Sequence, residues 1–489
     1  MQITKPSLTE IKKYAEKYPL CPVYRRLPEG VREPLEVFKA LKRLSRHCYI
    51  LESLEASGDR GRYTFLGYDP KLEVTCANGL LRIKNGTSIE IKTYEPDVYI
   101  KKILDDNLAP DIDELPPFAG GLLGYFSYDY IKYREKSLKL DAANGESFND
   151  ADLMLFDKVI AYDHERREIL LIVNIRTDEA AENYNRALTE MDQLERIVRN
   201  GETEKIPTLK LNSEFRPLFG KEEYCQMVTR TKERIHEGDI FQAVLSNAYD
   251  ADADGSLFGA YGILRRINPS PYMFYLSGDQ TEIAGASPET LIRLRGGRVS
   301  TYPLAGTRRR GKTREEDDAL ERELLNDPKE LAEHNMLVDL GRNDIGRVAE
   351  FGTVKVEDYL TVRRFSHVMH IGSTVAGKLK DGETALSALE SVLPAGTLSG
   401  APKLKAMEII NELENDRRGI YGGAIGYLSF SGSMDTCIAI RIAYKRNGRV
   451  FVRSGAGIVA DSVPENEYDE CNNKAKAVLN ALYEAAKEI

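Results

Sequence analysis

Two glycine-rich segments, one in each half of the chain, carry the same pattern of residues. Residues 120–128 read GGLLGYFSY and residues 422–430 read GGAIGYLSF. A looser match joins LGYDP at 66–70 to AGASP at 284–288, in the same order but at an offset of 218 rather than 302 positions. Chance similarity between glycine-rich strands is the alternative interpretation. We infer a duplicated fold with insertions in the second copy, and loops added to a scaffold commonly carry function.

Charge and composition exclude several classes of protein. The chain has 489 residues and a net charge of −9 with both signs interspersed, whereas a nucleic-acid binder needs a basic face. No run approaches the ~18 apolar residues of a membrane span, and the start, MQITKPSLTEIKKY, lacks the apolar core of a secretory signal. The six cysteines are scattered without a CxxC pair. We expect a cytoplasmic protein with reduced thiols and no affinity for membranes or nucleic acid.

Local patterns predict mixed helices and strands throughout. Asn78-Gly79 predicts a hairpin turn, Asp327-Pro328 predicts the start of a helix, and Ser462 to Glu465 predicts the capping box of a last helix. Residues 200–217 are polar and aperiodic, which is typical of a linker. We therefore expect an N-terminal half at 1–200, a linker at 201–220 and a C-terminal half at 221–489.

Two predicted helices each carry a Glu-x-x-Glu pattern, with Glu330 and Glu333 on one and Glu467 and Glu470 on the other. Residues three apart share a helix face, so these carboxylates repel each other unless a cation or solvent relieves them. Two such helices facing each other would form an oxygen-rich site suited to Mg²⁺. Lys474, one turn after Glu470, would pair with an anionic substrate. A solvated helix face is the alternative for either pair alone.

Three glycine-rich turns in the second half suggest a pocket for a carboxylated molecule. Gly455-Ala456-Gly457 follows a predicted strand at 449–454, and similar turns lie at 303–307 and 394–402. Glycines let the backbone approach a ligand, and consecutive N–H groups can cradle an anion. Each of these segments on its own is more simply explained as a structural turn that binds no ligand.

One arginine and two histidines are further candidates. Strand alternation places Arg441 on the face of Cys437 and Ala439, where its guanidinium would clamp a carboxylate. A salt bridge at a strand end is the equal alternative. His367 and His370 are candidate acids, bases or polar contacts, and no third metal ligand lies near them in sequence.

Seven ordered blocks carry a resemblance to a known family. They are PLAGTRRRG (303–311), ELAEHNMLVDLGRNDIGRV (330–348), RFSHVMH (364–370), PAGTLSGAPK (394–403), RRGIYGGAIGY (417–427), DTCIAIR (435–441) and GAGIVADSVPENEYDECNNKA (455–475). From about residue 220 to its end, the chain resembles the chorismate-utilising enzymes. The resemblance implies an α+β fold in which large antiparallel sheets pack as a sandwich with helices outside.

The resemblance also implies a role for each matching residue. Glu333 and Glu470 would ligate Mg²⁺, supported by Glu330 and Glu467, and the cation would hold the ring carboxylate of chorismate. Glu289 would be the acid–base group at the C4 hydroxyl, with His370 and Thr397 near the reacting ring. The implied substrate-binding residues are Gly306, Thr307, Tyr421, Arg441, Gly455, Ala456, Gly457 and Lys474.

Two positions discriminate between reactions of this family. Members that add water carry a lysine where this chain has Gln242, and members that make aminodeoxychorismate commonly carry one where it has Ala305. With neither lysine, ammonia itself would attack C2, which implies the synthesis of anthranilate and pyruvate. The chain shows no Gly-x-Cys-x-Gly nucleophile turn, so we expect a glutamine amidotransferase partner, in a heterodimer or heterotetramer, to supply the ammonia. The alternatives are the large subunit of an aminodeoxychorismate synthase and a non-catalytic tryptophan-sensing protein.

The first half resembles the family's tryptophan-binding segment. Ile50 to Ser53, with Ile50 where leucine is usual, is followed by Arg62-Tyr63, and Asn268 to Met273 resembles the second part of that site. The implied effector residues are Ser53, Pro271, Tyr272 and Met273. Feedback inhibition by L-tryptophan would follow if the effector prefers one of two conformations. Core strands and a proline turn without an effector are the alternative.

Overall fold

The structure is a computed structural model that describes residues 4–28, 30–54, 61–143, 145, 147–364 and 368–487. Its strands are β1 (Thr4–Lys5), β2 (Leu20–Pro28), β3 (Cys48–Glu52), β4 (Tyr63–Tyr68), β5 (Leu72–Ala77), β6 (Leu80–Asn85), β7 (Thr87–Lys92), β8 (Gly121–Phe126), β9 (Ala151–Phe156), β10 (Lys158–Asp163), β11 (Glu168–Arg176), β12 (Lys210–Leu211), β13 (Arg216–Pro217), β14 (Gln242–Asp254), β15 (Tyr272–Ser277), β16 (Thr281–Ser287), β17 (Thr290–Arg295), β18 (Arg298–Thr301), β19 (Leu304–Arg309), β20 (Lys355–Arg364), β21 (Val368–Lys378), β22 (Gly400–Ala401), β23 (Ala424–Ser429), β24 (Met434–Ile438), β25 (Ile442–Arg446) and β26 (Arg449–Ile458).

The helices are α1 (Leu8–Tyr14), α2 (Pro34–Leu44), α3 (Pro96–Asp105), α4 (Ala180–Asn200), α5 (Lys221–His236), α6 (Phe258–Ile267), α7 (Arg314–Leu325), α8 (Pro328–Gly346), α9 (Ala385–Val392), α10 (Lys403–Glu414) and α11 (Pro464–Ala485). Short 3₁₀ helices span Tyr128–Tyr133 and Gly396–Leu398. In the part of the chain that the structure describes, none of these helices has the length and apolar character to span a bilayer.

The strand order of both antiparallel sheets is symmetric about a central pair. The first sheet runs β1-β2-β11-β10-β4-β3-β15-β16-β25-β26-β14-β12, and the second runs β19-β21-β18-β17-β24-β23-β8-β9-β5-β6-β7. Outward from β3 and β15, or from β8 and β23, hairpins of the first half mirror hairpins of the second half. The two GGxxGY segments form β8 and β23 themselves, with Gly124 paired to Gly426. The duplication inferred from sequence predicts this local two-fold symmetry of the strand order.

Each sheet is a composite of both halves of the chain, because its central pair joins a strand before residue 200 to one after residue 220. The expected linker contributes the short strands β12 and β13, which pair with β14 at the edge of the first sheet. The division into halves at 201–220 stays a prediction.

The main core lies between the two sheets and is rich in aromatic side chains. Tyr49 from the first sheet packs edge-on against Phe156 from the second, with ring centroids 4.7 Å apart. Burying a ring of this size contributes about 1.5–3 kcal/mol. Separate apolar clusters fix α2, α4, α6 and α11 on the outer face of the first sheet and α8 and α9 on that of the second. The expected α+β sandwich with external helices is confirmed.

Local chemistry explains where several elements begin and end. Asn78 and Gly79 both have positive φ and form the predicted turn between β5 and β6. Asp327 caps α8 as predicted, because its carboxylate accepts from the N–H groups of Lys329 and Glu330. The predicted capping box at Ser462 is wrong, since α11 begins at Pro464 and the Ser462 hydroxyl accepts from the N–H of Val459 instead. All six cysteines are free thiols.

Candidate active site and inter-sheet pocket

Several predicted site residues converge on one cleft of about 580 Å³. His370 reaches it from β21, Arg441 from the link between β24 and β25, and Glu470 and Lys474 from the first turns of α11. Residues 268–270, after α6, form another wall. Arg441, Lys474 and an imidazole therefore face one space together with the carboxylates of Asp469 and Glu470, so the cleft offers cations to an anionic ligand and oxygens to a metal ion.

A bulge in the strand pairing aims His370 and its neighbours at this cleft. The pairing of β19 with β21 matches Ala305 to Ile371 and Arg308 to Met369, so Gly306 and Thr307 together oppose His370. Gly306 has a φ of 66°, which glycine adopts without strain. A side chain there would also lie within 3.1 Å of Glu330 Oε2.

The bulge also fixes the protonation of the imidazole. His370 Nδ1 donates to the carbonyl of Gly306 at 2.8 Å, with the Thr307 hydroxyl 3.1 Å from the same nitrogen. A carbonyl only accepts, so Nδ1 carries the proton and Nε2 is the acceptor nitrogen of the neutral ring. Burial lowers the pKa of His370, and the charge of Arg441 lowers it further, which favours this neutral form.

Glu289 lies between β16 and β17 with a perturbed carboxyl group. Burial raises the pKa of Glu289 to about 7, against a hydrogen bond from Thr397 and the charges of Arg441 and Lys474, which lower it. The Thr397 hydroxyl donates to Glu289 Oε1 at 3.2 Å. A carboxyl group with this pKa exchanges protons near neutral pH, as general acid–base catalysis requires.

The predictions missed the ion pair that holds Thr397 in place. Arg418 is 2% exposed and donates to the carbonyls of Leu398 and Val244 as well as to the Glu414 carboxylate. These bonds fix the 3₁₀ turn that carries Thr397 against β14. Arg418 lies in the family block at 417–427, but nothing in the local sequence indicates that its side chain is buried.

The four glutamates come from the two predicted helices, but they do not form a compact set. Glu330 lies 3.2 Å from Arg308, and Glu470 lies 2.7 Å from Lys474. Among the described residues, no three of these glutamates place oxygens within 4.8 Å of one another. Burial raises the pKa of Glu333, and the charges of Glu330 and Glu470 raise it further, so carboxylates of α8 and α11 repel each other.

Residues 455–457 do not form the expected turn after a strand. They belong to β26 and pair with residues 244–246 of β14. Successive N–H groups of a strand point in opposite directions, so they cannot jointly cradle an anion. The glycines instead allow close approach: a side chain at Gly455 would lie 3.0 Å from the Tyr421 hydroxyl. Lys474 Nζ donates to the Gly455 carbonyl at 3.2 Å, which ties the strand to α11.

The expected strand placement of Arg441 is wrong. β24 ends at Ile438, and Arg441 lies in the following link with a φ of 52°. This left-handed backbone is uncommon for a side chain of this size, and backbone strain of this kind is often found at functional sites. Of the two reaction-discriminating positions, Ala305 lies next to Gly306, and Gln242 Nε2 would lie 2.7 Å from a side chain at Gly457. His367 lies outside the described residues.

All four expected effector residues line one pocket between the sheets, which we call the first inter-sheet pocket. Ser53 and Pro271 to Met273 form one side, and Tyr427 and Asp435 form the other. The Ser53 hydroxyl is buried and completes no hydrogen bond within the described ranges. Sequence reasoning missed the second-sheet wall, Arg293, Tyr427 and Asp435, because only the packing of the two sheets brings it there.

Comparisons with known proteins identify the family of this chain. A family model described as chorismate binding enzyme matches residues 46–480. Anthranilate synthase component 1 of Acetivibrio thermocellus is 44% identical over 495 aligned positions, which cover 99% of each chain. The protein of the same name from Aquifex aeolicus is 44% identical over 99% of this chain and 98% of its own.

Solved structures give the same picture. Anthranilate synthase component I from Streptococcus pneumoniae superposes with a TM-score of 0.76 at 36% identity, over 92% of this chain and 98% of that one. The menaquinone-specific isochorismate synthase of Escherichia coli shares the fold at a TM-score of 0.69 and 19% identity, over 97% and 98%. The chain belongs to the chorismate-binding enzyme family and, within it, to the anthranilate synthase component 1 group.

Proposed function

We propose that this chain is the chorismate-binding component of an anthranilate synthase and converts chorismate and ammonia to anthranilate and pyruvate. The observation that carries the proposal is the cleft shared by His370, Arg441, Glu470 and Lys474. Pro288 lines the same cleft, and the next residue, Glu289, lines a separate small cavity with Thr397 and has a pKa that burial raises to about 7. The names of the relatives and the absence of lysine at 242 and 305 support anthranilate as the product.

Substrate binding follows from charge. Chorismate carries a ring carboxylate and an enolpyruvyl carboxylate, and Arg441 and Lys474 offer a cation to each side of the cleft. Charge-assisted hydrogen bonds of this kind contribute about 1.5–3 kcal/mol each. Gly306, Thr307, Tyr421 and residues 455–457 would complete the wall against the ring.

The first chemical step exchanges the C4 hydroxyl for an amino group at C2. Ammonia adds at C2, the ring double bond shifts, and the hydroxyl leaves as water with a proton from the Glu289 carboxyl. The added nitrogen then gives a proton to a base, and the Glu289 carboxylate is available for it. The C2 proton then passes to His370 Nε2 as the nearby acceptor, and cleavage of the bond between C3 and the ether oxygen makes the ring aromatic. The side chain leaves as enolpyruvate, which takes a proton from solvent at its methylene carbon and becomes pyruvate.

The carboxylates of α8 and α11 suit Mg²⁺. Glu333 and Glu470 would hold the ion, with Glu330 and Glu467 supporting them. Burial raises the pKa of Glu467, and Glu470 raises it further, so the acidic set is under-compensated in the way that a divalent cation relieves. A bound Mg²⁺ would orient the ring carboxylate of chorismate and stabilise developing negative charge.

Ammonia is mostly protonated near neutral pH, so we propose a glutamine amidotransferase partner that delivers it, in a heterodimer or heterotetramer. The name component 1 carried by the relatives supports a second component. We further propose that L-tryptophan binds the first inter-sheet pocket and inhibits, and that the enzyme works in the cytoplasm, where its six thiols stay reduced.

The test is product analysis by chromatography after incubation with chorismate, Mg²⁺ and an ammonium salt. Fluorescent anthranilate and an equal amount of pyruvate are expected. Accumulation of 4-amino-4-deoxychorismate would overturn the proposal in favour of aminodeoxychorismate synthesis, and no turnover of chorismate would favour a non-catalytic protein. Replacing the ammonium salt with glutamine should abolish the reaction of this chain alone.

A further inference from the structure

A second pocket of about 240 Å³ lies between the same two sheets, at the opposite end of their central strand pairs. Ser53 and Met273 line the first inter-sheet pocket at one end of β3 and β15. His47 and Ser277 lie at the other end of these two strands and line this second pocket. We call it the second inter-sheet pocket. The cleft described above shares no residue with it.

The internal symmetry makes the two pockets counterparts. Tyr125 holds the place in its GGxxGY segment that Tyr427 holds in the other. Tyr125 pairs across β8 and β9 with Asp152, and Tyr427 pairs across β23 and β24 with Asp435. Each pocket is therefore lined by a tyrosine and an aspartate from neighbouring strands of the second sheet.

An arginine also stands at the equivalent corner of each pocket. In the first pocket, Arg62 precedes β4 and pairs with Asp163 at the end of β10. In the second, Gln280 precedes β16 and accepts from Arg446 at the end of β25, at 3.2 Å. The guanidinium thus comes from the residue before β4 in the first pocket and from the end of β25 in the second, and each pairs with a polar residue of the adjacent strand end.

Several polar groups in the second pocket are buried without a partner. Tyr125 is 2% exposed and Arg446 is 9% exposed. Within the described ranges, Tyr125 Oη, Arg446 Nε and Thr281 Oγ1 complete no hydrogen bond. A buried donor or acceptor left unsatisfied costs about 1–3 kcal/mol, so three converging on one cavity indicate a polar occupant.

Opposite charges face this cavity from separate walls. The Asp152 carboxylate accepts from the Asn149 amide at 3.0 Å, and Arg446 is held by the Gln280 amide. Neutral amides thus orient a carboxylate and a guanidinium that lie within reach of each other's charge, and the salt bridges among the described residues do not include this pair. A molecule that carries an ammonium and a carboxylate group balances both.

We propose that the second inter-sheet pocket binds a free α-amino acid with a polar side chain. Arg446 takes the α-carboxylate, Asp152 takes the ammonium group, and Tyr125 donates to the ligand. The polar side chain follows from the remaining wall, which carries Thr75, Asn149 and Gln280 beside Met154, Leu276 and Ile283. The first pocket instead carries Phe65, Met273 and Phe274.

The mouth of the pocket is closed by a charged network and not by a metal site. His47, Glu73 and Asp279 place ligand atoms within 4.8 Å of one another. Lys84 Nζ, however, lies 2.9 Å from Glu73 and 3.1 Å from Asp279, and the hydrogen bond to Glu73 raises the pKa of His47, so Lys84 and a protonated His47 balance the two carboxylates. The network joins the two sheets at the entrance, where it would open and reclose around a ligand.

Isothermal titration calorimetry of the full chain, saturated with tryptophan to fill the first pocket, tests the proposal. Each standard amino acid is titrated in turn into the wild type, Tyr125→Phe, Arg446→Gln and the matched control Ser53→Ala. We expect a polar amino acid to bind, with affinity about tenfold weaker in Tyr125→Phe and no detectable binding in Arg446→Gln. Ser53→Ala should bind it like the wild type.

The proposal is overturned if no amino acid gives a binding signal, which would leave the cavity to water alone. It is equally overturned if binding survives both Tyr125→Phe and Arg446→Gln, or is lost in Ser53→Ala. Thermal unfolding midpoints equal to the wild type show that the variants fold; for a variant that does not fold, Asp152→Asn replaces it with the same expectation of lost binding. The tryptophan titration and the anthranilate assay report separately on the proposed function.

Discussion

The Tyr272 hydroxyl in the first inter-sheet pocket lies 2.8 Å from the hydroxyl of Thr290, the residue next to Glu289. Tyr272 donates to Asp435 Oδ1 at 2.7 Å, so Thr290 donates to Tyr272. The same stretch of chain serves both sites, because residues 268–270 line the cleft and residues 271–274 line the pocket. A ligand that moves Tyr272 therefore acts on a hydrogen bond one residue from Glu289, the proposed acid–base group.

Tyr272→Phe tests the hydrogen bond between Tyr272 and Thr290. The substitution removes the hydroxyl that joins Asp435 and Thr290 but keeps the ring in the pocket wall. The affinity for tryptophan should change by no more than a few-fold. The coupling free energy between tryptophan binding and chorismate binding should fall by about 1–3 kcal/mol, which is roughly 5–150-fold in the effect of one ligand on the affinity for the other. Calorimetric titration of tryptophan with and without chorismate measures this coupling. Unchanged coupling would show that the effect travels by another route.

Ser53→Ala should weaken tryptophan binding by about 1 kcal/mol, or roughly fivefold, because it removes one hydrogen bond to the ligand. Its hydroxyl has no partner in the described structure, so the unliganded variant should be as stable as the wild type or slightly more so. Thermal unfolding with and without tryptophan separates the two effects. Destabilisation of the unliganded protein would contradict the assignment of this hydroxyl to a ligand.

Glu289→Gln should lower kcat about 10²–10⁴-fold, the usual loss on removal of a general acid. If the protonated carboxyl is the active form, the wild-type rate falls as pH rises through about 7, the pKa to which burial raises Glu289. The residual rate of Glu289→Gln should lack this fall. The measurement is steady-state kinetics of both proteins across pH, with the concentration of free ammonia held constant at every pH.

Glu390 offers a matched control for this pH profile. Burial also raises the pKa of Glu390 to about 7, but its carboxylate accepts from Tyr130 at the outer face of the second sheet. Glu390→Gln keeps an acceptor for that hydroxyl and should keep the wild-type profile. A rate that rises through pH 7 in the wild type would assign Glu289 as the base instead of the acid.

Glu470→Gln should raise the Mg²⁺ concentration for half-maximal rate about tenfold or more, since it removes a charged oxygen ligand. Glu465→Gln is the control on the same helix, because it removes one acidic charge five positions away outside the Glu-x-x-Glu pattern. Rates measured over a magnesium titration compare the two. The same magnesium dependence in both variants would contradict the assignment of Glu470 as a metal ligand.

The predictions from sequence are correct where a short pattern of neighbouring residues determines the backbone geometry. The turn at Asn78-Gly79 and the start of α8 at Asp327 are as predicted, because positive φ and helix capping depend only on neighbouring residues. The repeat also predicted a duplicated fold. It did not predict that the two copies would share each sheet, through β3 and β15 in the first and through β8 and β23 in the second, because strand pairing depends on residues far apart in sequence.

The errors share one physical origin. Arg441 continues an alternating pattern, yet its strand ends at Ile438, and residues 455–457 look like a turn but extend β26. In both places the pairing available from neighbouring strands, and not the local sequence, decided where the strand stops. Arg418 was missed for a related reason, because a charged residue is buried only when its partners, here Glu414 and two carbonyls, are brought to it.

The sequence by itself determined the family blocks, the two Glu-x-x-Glu helices and the repeated glycine segments, because residue identity and short spacing are enough for each. Only the tertiary structure decided that His370, Arg441, Glu470 and Lys474 share a cleft and that residues near 53 and 272 share a pocket. It also decided that the duplication left a second pocket around Tyr125 and Arg446. Convergence of residues far apart in sequence depends on how two sheets pack face to face, and that packing is a property of the whole chain.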